Sequence, residues 1–159
     1  MHSRLPIVSD MVAVQVLRRC GERTEVLLLR RAPDDSLGGL WCQVAGKMEH
    51  GEAAWQTGLR ELAEETGLVP EQFYSADVCE QFYERSRERI VLAPVFVAFV
   101  ASNAQVRLDH EHTDYCWLNL EQALALLPFL GQRRVLREVW EAFVEQPPLA
   151  SLRIDTRVE

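Results

Sequence analysis

Residues 46–68, GKMEHGEAAWQTGLRELAEETGL, switch from loop punctuation to helical periodicity and so dictate what must surround them. At about 100° per residue with Trp55 at zero, Leu59, Leu62 and Thr66 fall within roughly 40° of it, a stripe that needs a core to face. On the same wheel Glu61, Glu64 and Glu65 fall at roughly 240°, 180° and 280°, an arc on the far side. The helix is expected to start near Glu52, whose carboxylate suits the positive N-terminal end. Gly67 is a natural C-cap and Pro70 blocks continuation.

The rest of the chain supplies a sheet for that stripe. Segments 8–18 and 24–31 read as strands joined through the RRCGER turn, followed by the loop APDDSLGG at 32–39. Strands are also expected at 41–45, 74–84, 90–101 and 114–118, with RSRER at 85–89 as a charged loop. Pro94 inside an otherwise central strand points to a bulge. Two amphipathic helices follow at 120–127 and 132–146, so the C-terminal helices occupy about 119–146, and 147–159 is a tail. The last helix is expected to press Val135, Val139, Trp140 and Phe143 onto the sheet. Strands interleaved with helices predict an α/β fold, a mixed β-sheet flanked by helices on both faces. With 159 residues and no repeats or linker, one domain spanning 1–159 is expected.

Composition removes some function classes. The net charge is −7, so no basic surplus exists to bind a nucleic acid polymer. The cysteines Cys20, Cys42, Cys79 and Cys116 form no CxxC pair, which predicts reduced, mostly buried thiols. No apolar stretch has the length of a membrane span, and a cytoplasmic protein is expected.

Glu61, Glu64 and Glu65 repel one another at helical spacing, and only Arg60 stands beside them to relieve it. A hard divalent cation relieves the same repulsion better: Mg²⁺ takes oxygen ligands and suits carboxylates together with substrate phosphates. These residues also carry a resemblance. Gly46, five residues, Glu52, seven residues and then Arg60-Glu61-Leu62-Ala63-Glu64-Glu65-Thr66-Gly67-Leu68 resemble the Nudix box at every fixed position. The resemblance covers 23 of 159 residues and implies a Nudix fold, an α/β/α sandwich. It implies Mg²⁺-dependent hydrolysis of a nucleoside diphosphate linked to another group, with Mn²⁺ as a substitute ion. It implies that Glu61, Glu64 and Glu65 bind metal, that the Gly46 carbonyl completes the coordination, and that Arg60 and Glu52 brace loop against helix. Glu61, or a glutamate from a later loop, then serves as general base.

Glu111, His112, Tyr115, Trp117 and Leu118 resemble the EHxxYxWL pattern of the dihydroneopterin triphosphate pyrophosphohydrolase branch, where the glutamate joins the metal site from a loop. Asp109 and Asp114 are alternative acids nearby, and His110 and His112 read as ordinary polar-loop histidines. Lys47 matches a family position for phosphate contact. Of Arg30 and Arg31, one is expected to reach a phosphate; Arg30 is the first choice. Tyr83 and Arg85, with Arg87 and Arg89 nearby, suit a flat base and a polyphosphate. Gly58 inside the helix reads as close packing.

The substrate expected from this pattern is a nucleoside or pterin triphosphate, dihydroneopterin triphosphate or a dATP-like nucleotide, cleaved to monophosphate and pyrophosphate. Hydrolysis of a dinucleoside polyphosphate or nucleotide sugar is the alternative. Ala45-Gly46 in place of Gly-Gly argues against an oxidised-guanine specialist. A non-catalytic nucleotide sensor would have lost a box glutamate or the arginine, and none is lost. A homodimer is left open, many members being dimers.

Overall fold

Met11–Cys20 and Arg23–Arg31 form a hairpin in which Gly21, at φ 65°, begins a two-residue turn. In the computed structural model, which describes residues 2–157, these are strands β2 and β3, preceded by β1 (Ile7–Val8). The stretch expected as one strand at 41–45 divides in two. β4 (Trp41–Cys42) pairs with β3, whereas β5 (Val44–Lys47) pairs with β2. Gln43 is the residue at which the chain changes partner.

α1 (Ala54–Thr66) follows, then β6 (Gln72–Glu84), β7 (Arg89–Val100) and β8 (His112–Leu118), and the helices α2 (Leu120–Leu126) and α3 (Leu130–Phe143). β7 lies parallel to β1 and β2 and antiparallel to β6, and β8 runs antiparallel to β3, so the sheet is mixed. Three residues of β6, Ala76–Val78, face Val95 alone, with Pro94 opposite Cys79. Proline, which has no N–H to give the ladder, thus sits beside the bulge as expected.

Strand alternation gives the sheet two apolar faces. Val12, Val14, Leu27, Leu29 and Phe96 turn to α1, where Leu62 is fully buried with Trp55 and Leu59 packed beside it. Ala13, Leu17, Leu28 and Val97 turn to α2 and α3, where Val135, Val139 and Phe143 are buried and Trp140 packs against them. Helices therefore cover both faces. Gly58 lets α1 approach closely: a Cβ there would stand 3.2 Å from Phe73 and 3.3 Å from Phe96.

Three expectations need adjusting. Among the cysteines, all free, only Cys42 is buried and Cys79 is exposed, because β6 presents Cys79 on its outer side at the bulge. α1 begins after Ala53 rather than at Glu52, because the Glu52 carboxylate is taken up by other donors. The described part of the tail is not loose: Ile154 donates its N–H to the Phe73 carbonyl at 2.8 Å, and Arg153 bridges to Tyr74. Residues 158–159 lie outside the described residues. Among the described residues no helix is long and apolar enough to cross a membrane.

Candidate active site

Arg60 organises the first half of the site. Its Nε donates to Glu52 Oε2 at 2.7 Å, and one terminal nitrogen donates to the Lys47 carbonyl at 2.8 Å. The other donates to Glu61 at 2.9 Å and to Glu64 at 3.2 Å. One planar guanidinium thus ties the loop before α1 to three carboxylates on fixed vectors, which a lysine cannot do. Glu52 also accepts from the Thr57 hydroxyl at 2.6 Å and the Glu49 N–H at 3.0 Å. Arg60, then Thr57 and the Glu49 N–H, hold the Glu52 carboxyl down at about 2, so it stays ionised as a brace.

Gly46 is glycine for a steric reason. A Cβ at that position would collide with the Glu61 carboxyl group, which rests against the β5 backbone. One turn on, Glu65 is 2% exposed, the most buried carboxylate of the arc. Its Oε2 accepts the Ala45 N–H at 3.3 Å, and its Oε1 lies 3.4 Å from His112 Nε2. His112, itself buried, has Nδ1 2.9 Å from Asp109 Oδ1. The loop before β8 is fixed by the Ala32 N–H, which donates to the Glu111 carbonyl at 2.8 Å. It brings Glu111 in: Glu65, Glu111 and His112 each place a ligand-capable atom within 4.8 Å of the others.

Burial and crowding set the ionisation of these carboxyls. Burial pushes the Glu65 carboxyl up to about 9, reinforced by Glu61, Asp109 and Glu111 and opposed by the Ala45 N–H. Burial also raises Glu61, which Arg60 only partly offsets. A divalent cation would relieve this crowding by favouring the ionised carboxylates, and their hard oxygen donors fit a hard ion. Cys42, whose Sγ lies 3.9 Å from His112 Nε2, is not among the residues whose ligand-capable atoms converge. Glu64, 56% exposed at its side chain, stands at the solvent edge with Arg60 as its partner, outside the tight group.

A cleft of about 690 Å³ opens on the α2–α3 face. It shares β5 with the carboxylates: Ala45 lines the cleft and gives its N–H to Glu65. Tyr83, Phe82 and Arg85 line it. Of the two arginines ending β3, Arg31 lines the cleft, whereas Arg30 is exposed and donates to the Gly39 carbonyl at 3.1 Å. Arg89 is bound to Glu84 at 2.7 Å and Asp10 at 3.3 Å and belongs to the scaffold. Lys47 keeps an exposed side chain at the end of β5.

The family model for the NUDIX domain matches residues 10–140. The chain belongs to the Nudix family. Nudix hydrolases act on acid anhydrides and generally use a divalent metal ion, the counter-charge that the carboxylates call for. The chain is 36% identical over 129 residues to an octanoyltransferase of Myxococcus xanthus, a match covering 79% of this chain and 35% of that protein. It is 26% identical over 134 residues to the asymmetrical bis(5'-nucleosyl)-tetraphosphatase of Caenorhabditis elegans, covering 83% of this chain and 94% of that protein. A C. elegans Ap4A hydrolase structure superimposes with a TM-score of 0.73 at 24% identity, covering 87% of this chain and 98% of that one. The Escherichia coli dihydroneopterin triphosphate pyrophosphohydrolase does so with a TM-score of 0.67 at 21% identity, covering 85% and 97%.

Within this Nudix domain, sequence reasoning undervalued two residues. His112, which its polar loop predicts to be an ordinary surface histidine, is buried between Asp109 and Glu65. The i, i+3 spacing of Asp109 and His112 was the available signal. Thr57, which carries no sequence signal of its own, gives its hydroxyl as one of the donors that fix Glu52.

Proposed function

We propose that this Nudix domain is a Mg²⁺-dependent hydrolase of nucleoside polyphosphates, with dinucleoside tetraphosphates as the first substrate class. The observation that carries the reading is the carboxylate group beside β5: Glu61 rests against Gly46, and Glu65, Glu111 and His112 bring ligand-capable atoms within 4.8 Å of one another, while Ala45 of the same strand borders the cleft. Glu61, Glu64, Glu65, Glu111 and the Gly46 carbonyl would hold the metal. Bound there, a divalent cation supplies charge neutralisation for the phosphates and lowers the pKa of a bound water.

The chain's own residues then position and move protons. Arg60 fixes the carboxylate vectors, and Ala45 and His112 fix Glu65. Glu111, with an exposed carboxylate next to Glu65, accepts the proton of the attacking water. Water attack at phosphorus splits one anhydride bond, and a diadenosine tetraphosphate plus water yields ATP and AMP. Lys47, Arg31 and Arg85 are the phosphate-facing cations, and Tyr83 offers its ring to a base. Similarity to the tetraphosphatase over 94% of its length supports this substrate class.

A second reading rests on the Glu111–Leu118 pattern: a nucleoside or pterin triphosphate cleaved to monophosphate and pyrophosphate. A panel of dinucleoside polyphosphates, nucleoside triphosphates and dihydroneopterin triphosphate, with chromatographic identification of products, separates the two. ATP and AMP in equal amounts from diadenosine tetraphosphate support the first. Pyrophosphate release from triphosphates alone supports the second.

A further inference from the structure

The floor of the cleft holds two polar side chains that the hydrolytic reading leaves unused. Gln43, at the point where the chain leaves β3 for β2, is 4% exposed. Its Nε2 donates to Glu80 Oε2 at 2.8 Å, while its Oε1 is buried with no hydrogen-bond partner. A buried acceptor left empty is costly, so a purely structural Gln43–Glu80 pair accounts for only half of this side chain. Glu80 is 8% exposed under the first turn of α3, where a Cβ on Gly131 would stand 3.6 Å from Glu80 Cγ. Burial raises the Glu80 carboxyl above the usual carboxylate range, with the Gln43 amide opposing.

Both side chains line the cleft, and the rings of Tyr83 and Phe129 stand at its rim, 53% and 45% exposed. A polar floor with one unpaired acceptor beneath exposed aromatic rings is what a flat heterocycle needs, its edge hydrogen-bonded and its faces covered. Gln43 lies three residues before Gly46, about 10 Å of extended chain. A nucleoside spans a comparable distance from base edge to phosphate.

We propose that Gln43 and Glu80 read the substrate's base and that this base is adenine: Gln43 Oε1 accepts from the amino group, and the Glu80 carboxyl donates to N1. The proposal rests on the reading of the cleft as a nucleotide site and adds the base to it. Tyr83 and Phe129 cover the ring faces and contribute no discrimination between purines.

Calorimetric titration of AMP and of IMP tests this without requiring turnover. Inosine exchanges donor and acceptor at both positions of the same edge and leaves the ring available for stacking. The parent binds AMP about tenfold or more tighter than IMP, since IMP leaves the floor mispaired. Gln43→Leu brings AMP down to the level of IMP and changes IMP binding little. Equal affinities in the parent, no AMP binding, or a preference that survives in Gln43→Leu overturns the proposal. The parent's ratio needs no variant, so the test stands even if Gln43→Leu does not fold.

Hydrolysis separates the two claims. Diadenosine and diinosine tetraphosphates cleaved with equal kcat/KM overturn the base reading and leave the hydrolase standing. No cleavage of either, with AMP still preferred in binding, overturns the hydrolase reading alone.

Discussion

Glu65 and Glu64 are neighbours in sequence with opposite environments. Glu65 is sealed beneath β5 and the β8 loop, whereas Glu64 reaches solvent beside Arg60. Glu64→Gln should therefore leave stability within about 0.5 kcal/mol of the parent, as surface substitutions do. Turnover should fall by more than the roughly 10–100-fold typical of outer-shell metal residues. Thermal melting and single-substrate kinetics on the same preparation check both halves, and activity near the parent's would remove Glu64 from the metal site.

Glu80 makes a separate statement about pH. Burial holds its folded carboxyl above the usual range, so below the unfolded-state value both states carry the proton and nothing is lost. As pH rises past that value the unfolded chain ionises first, and stability falls until the folded carboxyl ionises too. Glu80→Gln should flatten this segment of the stability-versus-pH curve, measured by denaturant midpoint from about pH 4, near the ordinary value for a free Glu side chain, upward. A slope unchanged in the variant would assign the pH dependence to other groups.

At the scale of elements, the helix from Trp55 to Gly67 and the strand pattern around it were legible because periods of 3.6 and 2 mark them directly. Gly67 caps α1 at φ 71°, as its position demanded. Gly58 was readable as close packing, and Gly58→Val should destabilise by about 1–3 kcal/mol, the cost of overpacking against Phe73, Phe96 and Val14. Urea denaturation checks it, and an unchanged midpoint would mean that α1 can shift away from the sheet.

The break at Gln43 could not be read. WCQVA is one apolar run, and its change of partner depends on where β2 and β3 diverge, which is a tertiary matter. The same limit hid which arginine of the pair at 30 and 31 enters the cleft. The register of β3 shifts between Arg30 and Arg31, and that irregularity turns Arg31 inward. The role of His112 depended on a contact with Glu65, 47 residues away, that no local pattern announces.

For the molecule as a whole, net charge and substrate charge have the same sign. A chain of −7 acting on a polyphosphate would need a cation at the point of contact, and the carboxylate arc beside β5, between the cleft and α1, is where the proposed function would hold it. The sheet holds that geometry. α1 supplies the carboxylates on one face, α3 closes the cleft on the other, and β5 joins them through the Ala45 N–H and the Gly46 backbone. The most direct measurement follows diadenosine tetraphosphate by phosphorus NMR while Mg²⁺ is titrated in and then removed with EDTA. ATP and AMP appearing in equal amounts, only with the cation and not after its removal, is the predicted result. Product formation indifferent to EDTA, or none at any Mg²⁺ concentration, would contradict it.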